Sequence, residues 1–295
     1  MSTTPSPLVP VLAVVGIGLI GGSFAAALRD AGQVGRVLGV GRSKSSSDRA
    51  QALGLVDELV TLEEAAARSD LILLATPVGA IPDVVGRMQA HLRPDCVVSD
   101  AGSTKADVAA MARELLGERC TQFIPGHPIA GSEAVGPEAA DPHLYQGRTV
   151  ILTPFERTPA PARRLLTRAW EACGARVQFM DPQAHDRAMA SISHVPHFLA
   201  AAYMGQVSRS ANADVHLSLA GTGFRDFTRI AAGSPEVWRD IFLSNRAAVL
   251  RELDELDEAI GALRGTLERE DAQALEANLE QAALARRLWG SRSGL

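Results

Sequence analysis

Near the start of the chain an apolar stretch, Val11-Leu-Ala-Val-Val15, runs straight into Gly16-Ile17-Gly18-Leu19-Ile20-Gly21-Gly22 and then into Ser23-Phe-Ala-Ala-Ala-Leu28. Three glycines at this spacing, with a strand before and a helix after, leave few options. Gly16 permits a tight turn, Gly18 leaves room for an approaching pyrophosphate, and Gly21 lets the helix pack close against the strand. The helix N-terminus then offers free N–H groups and the positive end of its dipole. Gly16, Gly18, Leu19, Ile20 and Gly21 are therefore expected to bind a dinucleotide.

A second strand, Val37-Leu-Gly-Val40, follows that helix. An NAD site carries Asp or Glu after this strand to take the ribose 2′-OH. Here the residues are Gly41-Arg42-Ser43-Lys44-Ser45-Ser46-Ser47. A guanidinium and hydroxyls at Arg42 and Ser43 suit a 2′-phosphate, so NADP is expected over NAD.

Downstream, short apolar runs alternate with helical patterns, the signature of a parallel sheet with crossover helices. The expected strands are Glu58–Val60, Leu71–Ala75, Val97–Asp100, Gln122–Ile124, Thr149–Thr153 and Arg176–Met180. Intervening helices are expected at Ser47–Leu53, Leu62–Arg68, Ile81–His91, Ala106–Leu116 and Pro161–Cys173. From Pro125 to Gly147 the pattern fails, and a loop that long in a domain is usually functional. Beyond Asp181 only helical periodicity remains, at Gln183–Ser208, Pro235–Arg264 and Asp271–Trp289. Leu250, Leu253, Leu256, Ile260 and Leu263 recur at three- and four-residue spacing as one apolar stripe. The expected architecture is a Rossmann-type α/β domain, residues 1–181, followed by an all-helical domain, residues 182–295, that pairs the chain into a homodimer.

The chain has 295 residues, 46% of them hydrophobic and 21% charged, which describes a globular protein with ample core material. A net charge of −5 gives no pull toward nucleic acid or an anionic membrane. Met1-Ser-Thr-Thr-Pro-Ser-Pro7 lacks a basic leader region, and the apolar run after it is too short to span a bilayer. Three widely spaced cysteines (Cys96, Cys120, Cys173) suggest neither a disulfide framework nor a zinc site. A cytoplasmic protein is expected.

In a doubly wound sheet ligands sit outside the carboxyl ends of the strands. That rule singles out Thr76-Pro77-Val78, Asp100-Ala-Gly-Ser103-Thr-Lys105 and Pro125-Gly-His127-Pro-Ile-Ala-Gly131-Ser132-Glu133. Thr76 and Pro77 fall on the cofactor side. His127 is placed to face a nicotinamide, and imidazole titrates in the range needed to take a hydroxyl proton. By position alone it is equally a loop histidine tied to backbone. Ser103, one loop over, can share the same hydrogen bond. Ser193-His194-Val-Pro196-His197 offers two imidazoles with no third ligand at a matching spacing, so substrate contact or core packing is expected and no metal. Gly221-Thr-Gly-Phe-Arg225-Asp226-Phe-Thr-Arg229 sets arginines beside glycines, which suits an acid substrate.

Taken in order, Gly16–Gly22, Asp100–Lys105, His127–Glu133, Ser193–His197, Gly221–Arg229 and Pro235–Ile241 resemble the prephenate/arogenate dehydrogenases of tyrosine biosynthesis over nearly the whole chain. The resemblance implies an oxidative decarboxylation in which the C4 carbinol of a cyclohexadienyl ring is oxidised and the ring carboxylate leaves as CO2. It implies that His127 hydrogen-bonds the C4 hydroxyl, that Ser103 positions that hydroxyl, and that Arg229 binds a substrate carboxylate. His197, with His194 beside it, is implied in substrate contact, as are Ser132 and Glu133. Trp238 lines or supports the site. Glu133 suits the ammonium of arogenate and His197 the forms that accept prephenate, so prephenate is expected, with arogenate or dual use as the alternative. The two domains take up the length, so an appended mutase or regulatory domain is not expected. A β-hydroxyacid dehydrogenase would place a catalytic lysine in the second domain, and no lysine follows Lys105. A non-catalytic NADP-binding sensor would lack His127 or Arg229.

Overall fold

The computed structural model describes residues 6–131 and 134–293. Six parallel strands, β1 (Val9–Val15), β2 (Val34–Val40), β3 (Glu58–Leu59), β4 (Leu71–Leu74), β5 (Val97–Asp100) and β6 (Phe123–Ile124), form one sheet in the order β3-β2-β1-β4-β5-β6. The sheet is covered on both faces. Leu12 and Val14 pack with Phe24, Leu28 and Trp170, while Ala13 and Val15 pack with Ile81 and Val85. This is the period of two expected of a strand buried on both sides. Leu71–Leu74 is the extreme case, with all four residues buried.

The strand order reverses between β1 and β4, and the crevice outside their carboxyl ends is where a doubly wound sheet takes its ligand. Two turns flank that crevice: the glycine turn after β1, and Thr76-Pro77 after β4.

The stretch from Pro125 to Gly147, expected to be irregular throughout, contains a strand. β7 (Gly126–Pro128) pairs antiparallel with β8 (Thr149–Leu152), which pairs parallel with β9 (Arg176–Phe179), and the three make a second, small sheet. Only Pro125 separates β6 from β7, so the chain leaves one sheet and enters the next at once. A three-residue strand holding a Gly, a His and a Pro carries no alternation to read.

Helices Pro182–Met189 and Val195–Ser208 are joined by a π-helical turn, Ala190–His194. Pro196 lacks the N–H that would continue the regular ladder there. The single helix expected over Pro235–Arg264 is two, Pro235–Ser244 and Arg246–Glu268, interrupted at Asn245.

By packing, the chain divides into Met1–Arg246 and Ala247–Leu295. Long-range polar contacts cross residue 181 within the first unit: Asp186 bonds to Lys105 and Ala106, and Ser244 to Thr104. The second unit consists of most of helix Arg246–Glu268 and helix Ala272–Ser293. Leu250, Ile260, Leu263, Leu267, Leu279, Leu284 and Leu288 are all exposed on it. No helix among the described residues is long and apolar enough to cross a membrane.

Candidate active site

The glycine turn is built from backbone. Gly16 has φ +96°, and a Cβ there would lie 2.5 Å from the Ala75 carbonyl oxygen. At Gly21 a Cβ would lie 2.3 Å from the Gly16 oxygen and 2.6 Å from Val14 Cγ1, whereas at Gly18 it would meet nothing within 4 Å. Two glycines are thus forced by crowding and the third faces open space. Helix Leu19–Asp30 starts at Gly18 with no side-chain cap, so its first N–H groups remain available to an anion. Tyr145, buried against Trp170, donates its hydroxyl to the Ile20 carbonyl at 2.6 Å and holds the turn from behind. Thr76 Oγ1, on the β4 side of the crevice, is buried without a partner. A crowded turn, an open glycine, an uncapped helix start and an orphan hydroxyl fit a dinucleotide phosphate.

After β2, Arg42 stands 90% exposed with Glu236 at 3.8 Å. Ser43 is used structurally: its Oγ accepts the Ser46 N–H at 3.3 Å and caps helix Lys44–Ala52. Gly41 is pressed against Ser47, whose Oγ would lie 2.1 Å from an added Cβ.

Around His127 the materials change to buried side chains. Lys105 and Asp100, both fully buried, form an ion pair, and Lys105 Nζ also donates to the Gly126 carbonyl at 2.7 Å. Asp100 accepts the N–H groups of Gly102 at 2.8 Å and Gly126 at 3.1 Å. One ion pair therefore fixes the loop carrying Ser103 and the strand carrying His127 to each other. Burial nevertheless pushes the Asp100 carboxyl upward. Ser103 itself is half-buried.

His127 is half-buried, and its Nδ1 lies 2.9 Å from His185 Nε2. His185 Nδ1 lies 2.7 Å from Asp186 Oδ1. Asp186 in turn accepts the N–H groups of Lys105 and Ala106 at 2.8 and 2.9 Å. Those are the opening N–H groups of helix Ala106–Leu116, which has no cap of its own in sequence; a carboxylate from a distant segment supplies it. Burial, reinforced by His185, Lys105 and His194, holds the His127 imidazole well below its ordinary value.

Asn245 donates to the Asp186 carbonyl at 2.7 Å and lies 3.0 Å from His194 Nδ1. Burial lowers His194 to about 4, and its Nε2 is buried without a partner. His197 stacks on Trp238, ring centroids 3.6 Å apart, with its Nδ1 2.9 Å from the Ser193 carbonyl. Its pKa is lowered, first by burial and further by the Arg229 charge, against the Ser193 bond. Helix Pro235–Ser244 spans the strand ends, setting the Asp240 carboxylate against Gly79 and Ser244 Oγ 2.9 Å from Thr104 Oγ1.

Of the residues expected at the site, the structure thus sets His194 and His197 beside Trp238, brings the Arg229 charge to bear on His197, and joins the segments of His127 and Ser103 through the Lys105–Asp100 pair. Arg229 is exposed. Ser132 and Glu133 lie outside the described residues. Sequence reasoning missed His185, Asp186, Asn245 and Tyr145. Their partners lie far away in the chain, and only the adjacent His-Asp pair at a helix start carried any local signal.

Residues 24–179 match the family described as "Prephenate dehydrogenase, nucleotide-binding domain", and residues 181–281 match "Prephenate dehydrogenase, dimerization domain". The chain is 35% identical to the cyclohexadienyl dehydrogenase of Zymomonas mobilis over 93% of its own length and 94% of that protein's. It is similar to the crystal structure of prephenate dehydrogenase from Aquifex aeolicus in complex with hydroxyphenyl propionate and NAD+, at 33% identity and a TM-score of 0.88, covering 97% of this chain and 99% of that one. It is also similar to Synechocystis arogenate dehydrogenase, at 30% identity and a TM-score of 0.81, covering 95% and 99%. With both halves matched in order and relatives aligned nearly end to end, this chain belongs to the prephenate/arogenate dehydrogenase family.

Proposed function

We propose that this dehydrogenase oxidatively decarboxylates prephenate to 4-hydroxyphenylpyruvate, with NADP+ preferred over NAD+. The observation that carries the reading is His127: a half-buried imidazole at the first residues beyond β6, tied through Nδ1 and held in its neutral form by burial. A nicotinamide dinucleotide, when bound, supplies the hydride acceptor. The work of the chain is then to bind, orient and handle one proton. Neutral His127 takes the proton of the C4 hydroxyl as that carbon is oxidised to the dienone, and Ser103 positions the same hydroxyl. Loss of CO2 returns the ring electrons to the oxygen, and His127 gives the proton back to form the phenol. No net proton is released. Arg229 binds a substrate carboxylate and His197, braced by Trp238, contacts the substrate, with His194 behind it. Ser132 and Glu133 belong to the side-chain end of the substrate. Gly16, Gly18, Leu19, Ile20 and Gly21 hold the pyrophosphate, Thr76 and Pro77 flank it, and Arg42 and Ser43 lie toward the 2′-phosphate.

Arogenate, or both substrates, is the second reading, favoured by the similarity to a cyclohexadienyl dehydrogenase and to an arogenate dehydrogenase. We assign residues 1–181 to the cofactor and 182–295 to substrate and subunit pairing. A homodimer is supported by the dimerization-domain match and by the exposed Leu250, Leu263, Leu267, Leu279, Leu284 and Leu288 of the second unit. The three cysteines are free, which suits the reducing cytoplasm. The test is a four-way assay of prephenate or arogenate with NAD+ or NADP+, followed by absorbance of the reduced cofactor. Turnover is expected to be fastest with prephenate and NADP+. Absence of turnover with all four pairs overturns the reading.

A further inference from the structure

Asp186 and His185 have no part in the proposed substrate contacts, yet both are almost completely buried, His185 against His127 and Asp186 against His185. The three side chains form a line: carboxylate, imidazole, imidazole. The carboxylate end has only acceptors to offer, and two backbone N–H groups already donate to it. His185 must therefore present Nδ1–H to Asp186. In the neutral ring that leaves Nε2 as an acceptor, which can only be met by Nδ1–H of His127. His127 is then left with a bare Nε2. This is the tautomer that can take a proton; the other would present Nε2–H and could only donate.

We infer that the Asp186–His185 pair is a tautomer lock on His127, and that His185 is a positioning residue for the proton transfer. The inference rests on the role given to His127 above, but its first consequence is independent of any substrate. The lock also explains the placement of Asp186. Its carboxylate caps helix Ala106–Leu116 through Lys105 N and Ala106 N. The group that sets the tautomer is itself fixed by the loop that carries Ser103. Asn245, donating to the Asp186 carbonyl, holds the same residue from the other side.

The test is long-range 1H–15N correlation on the full chain labelled with 15N-histidine, without substrate, the His127 signals being assigned by their loss in His127→Asn. The expected result is a proton on His127 Nδ1 and a bare Nε2 in the unsubstituted protein. In His185→Ala the population should move toward Nε2–H. In His185→Gln the side-chain carbonyl reaches the former Nε2 position and should retain the Nδ1–H form. In the assay, His185→Ala is expected to lose about 10²- to 10⁴-fold in kcat, the scale seen when a catalytic imidazole is left in the wrong tautomer. KM for the cofactor should not change, and His185→Gln should recover at least about tenfold of the loss. A protonated Nε2 in the unsubstituted protein overturns the lock, even if His185→Ala does not fold. So does a tautomer that His185→Ala leaves unchanged, or a glutamine no better than alanine. Failure of all four substrate pairs with the expected tautomer present would instead overturn the functional reading and leave the lock standing.

Discussion

At the glycine turn the motif itself is one short run of sequence: β1 delivers the chain, Gly16 and Gly21 avoid collisions with the Ala75 carbonyl, the Gly16 oxygen and Val14, and the helix begins at once. Around His127 the constraints come from Asp100–Lys105, His185–Asp186 and Asn245, segments that meet only in the folded chain. The glycine turn is chiefly backbone shape, with the unpartnered Thr76 hydroxyl across the crevice. The proton side is made of buried polar side chains, each satisfied by another, where loss of one strands its neighbour. The two should therefore fail differently: the first in affinity, the second in rate and in stability.

The largest effect should come from His127→Asn. Removing the imidazole should lower kcat about 10²- to 10⁴-fold while calorimetric titration finds cofactor affinity unchanged. A loss of affinity instead would place His127 on the cofactor side and dissolve the contrast. The same residue sets a pH signature. Burial holds its pKa well below 6.5, so the ring stays neutral, able to accept a proton, until pH falls through that lowered value. The acid limb of kcat/KM should therefore lie below pH 6.5. A limb at or above 6.5 would mean that another group controls the rate.

Next in size is Lys105→Met. It leaves Asp100 fully buried without its counter-ion and Gly126 without a donor. Breaking such a pair from one side costs about 3–5 kcal/mol. Urea unfolding should show that loss at neutral pH. Because burial already pushes the Asp100 carboxyl upward, protonation relieves the stranded charge, and the loss should shrink as the pH is lowered. A constant loss would show that packing, not charge, holds the two loops together.

How much of this was legible follows the same division. The strands of the parallel sheet could be read because the central ones carry buried aliphatic runs, Leu71–Leu74 above all, and helical patterns alternate with them. The glycine turn could be read because its glycine spacing, with a strand before and a helix after, lies in one short segment, even though the Ala75 carbonyl that crowds Gly16 does not. β7 could not, since Gly126, His127 and Pro128 form a strand only by pairing with β8. The break at Asn245 could not either: its amide is held by the Asp186 carbonyl and His194, partners that no periodicity reveals. His127 was visible by its position after a strand, whereas His185 and Asp186 read as ordinary helix-start residues. Local cause is legible in one sequence, and mutual satisfaction between distant side chains is not.

Gly16→Ala examines the backbone side directly. The added Cβ would sit 2.5 Å from the Ala75 oxygen at a φ of +96°. Strain of this kind costs about 1–3 kcal/mol. Cofactor Kd should rise by roughly 5- to 150-fold at that cost, with kcat at saturating cofactor nearly unchanged. A fall in kcat at saturation would show that the turn also orients the reacting ring, and the two sides would no longer be separable.

Arg42→Ala should have the smallest effect, and it tests whether the cofactor side uses any side chain for discrimination. Arg42 is 90% exposed, with Glu236 at 3.8 Å, so solvent screens whatever it contributes. An exposed guanidinium meeting a 2′-phosphate should change KM for NADP+ by less than about tenfold, and KM for NAD+ not at all, because NAD+ carries no phosphate for it to meet. Glu236 sharpens the reading. It competes with a phosphate for the same guanidinium, so Glu236→Gln should lower KM for NADP+ in the presence of Arg42 and have no effect once Arg42 is gone. Equal changes for both cofactors would remove Arg42 from 2′-phosphate recognition. The cofactor side would then consist of backbone alone, with selectivity, if any, arising from the N-terminus of helix Lys44–Ala52 that Ser43 caps.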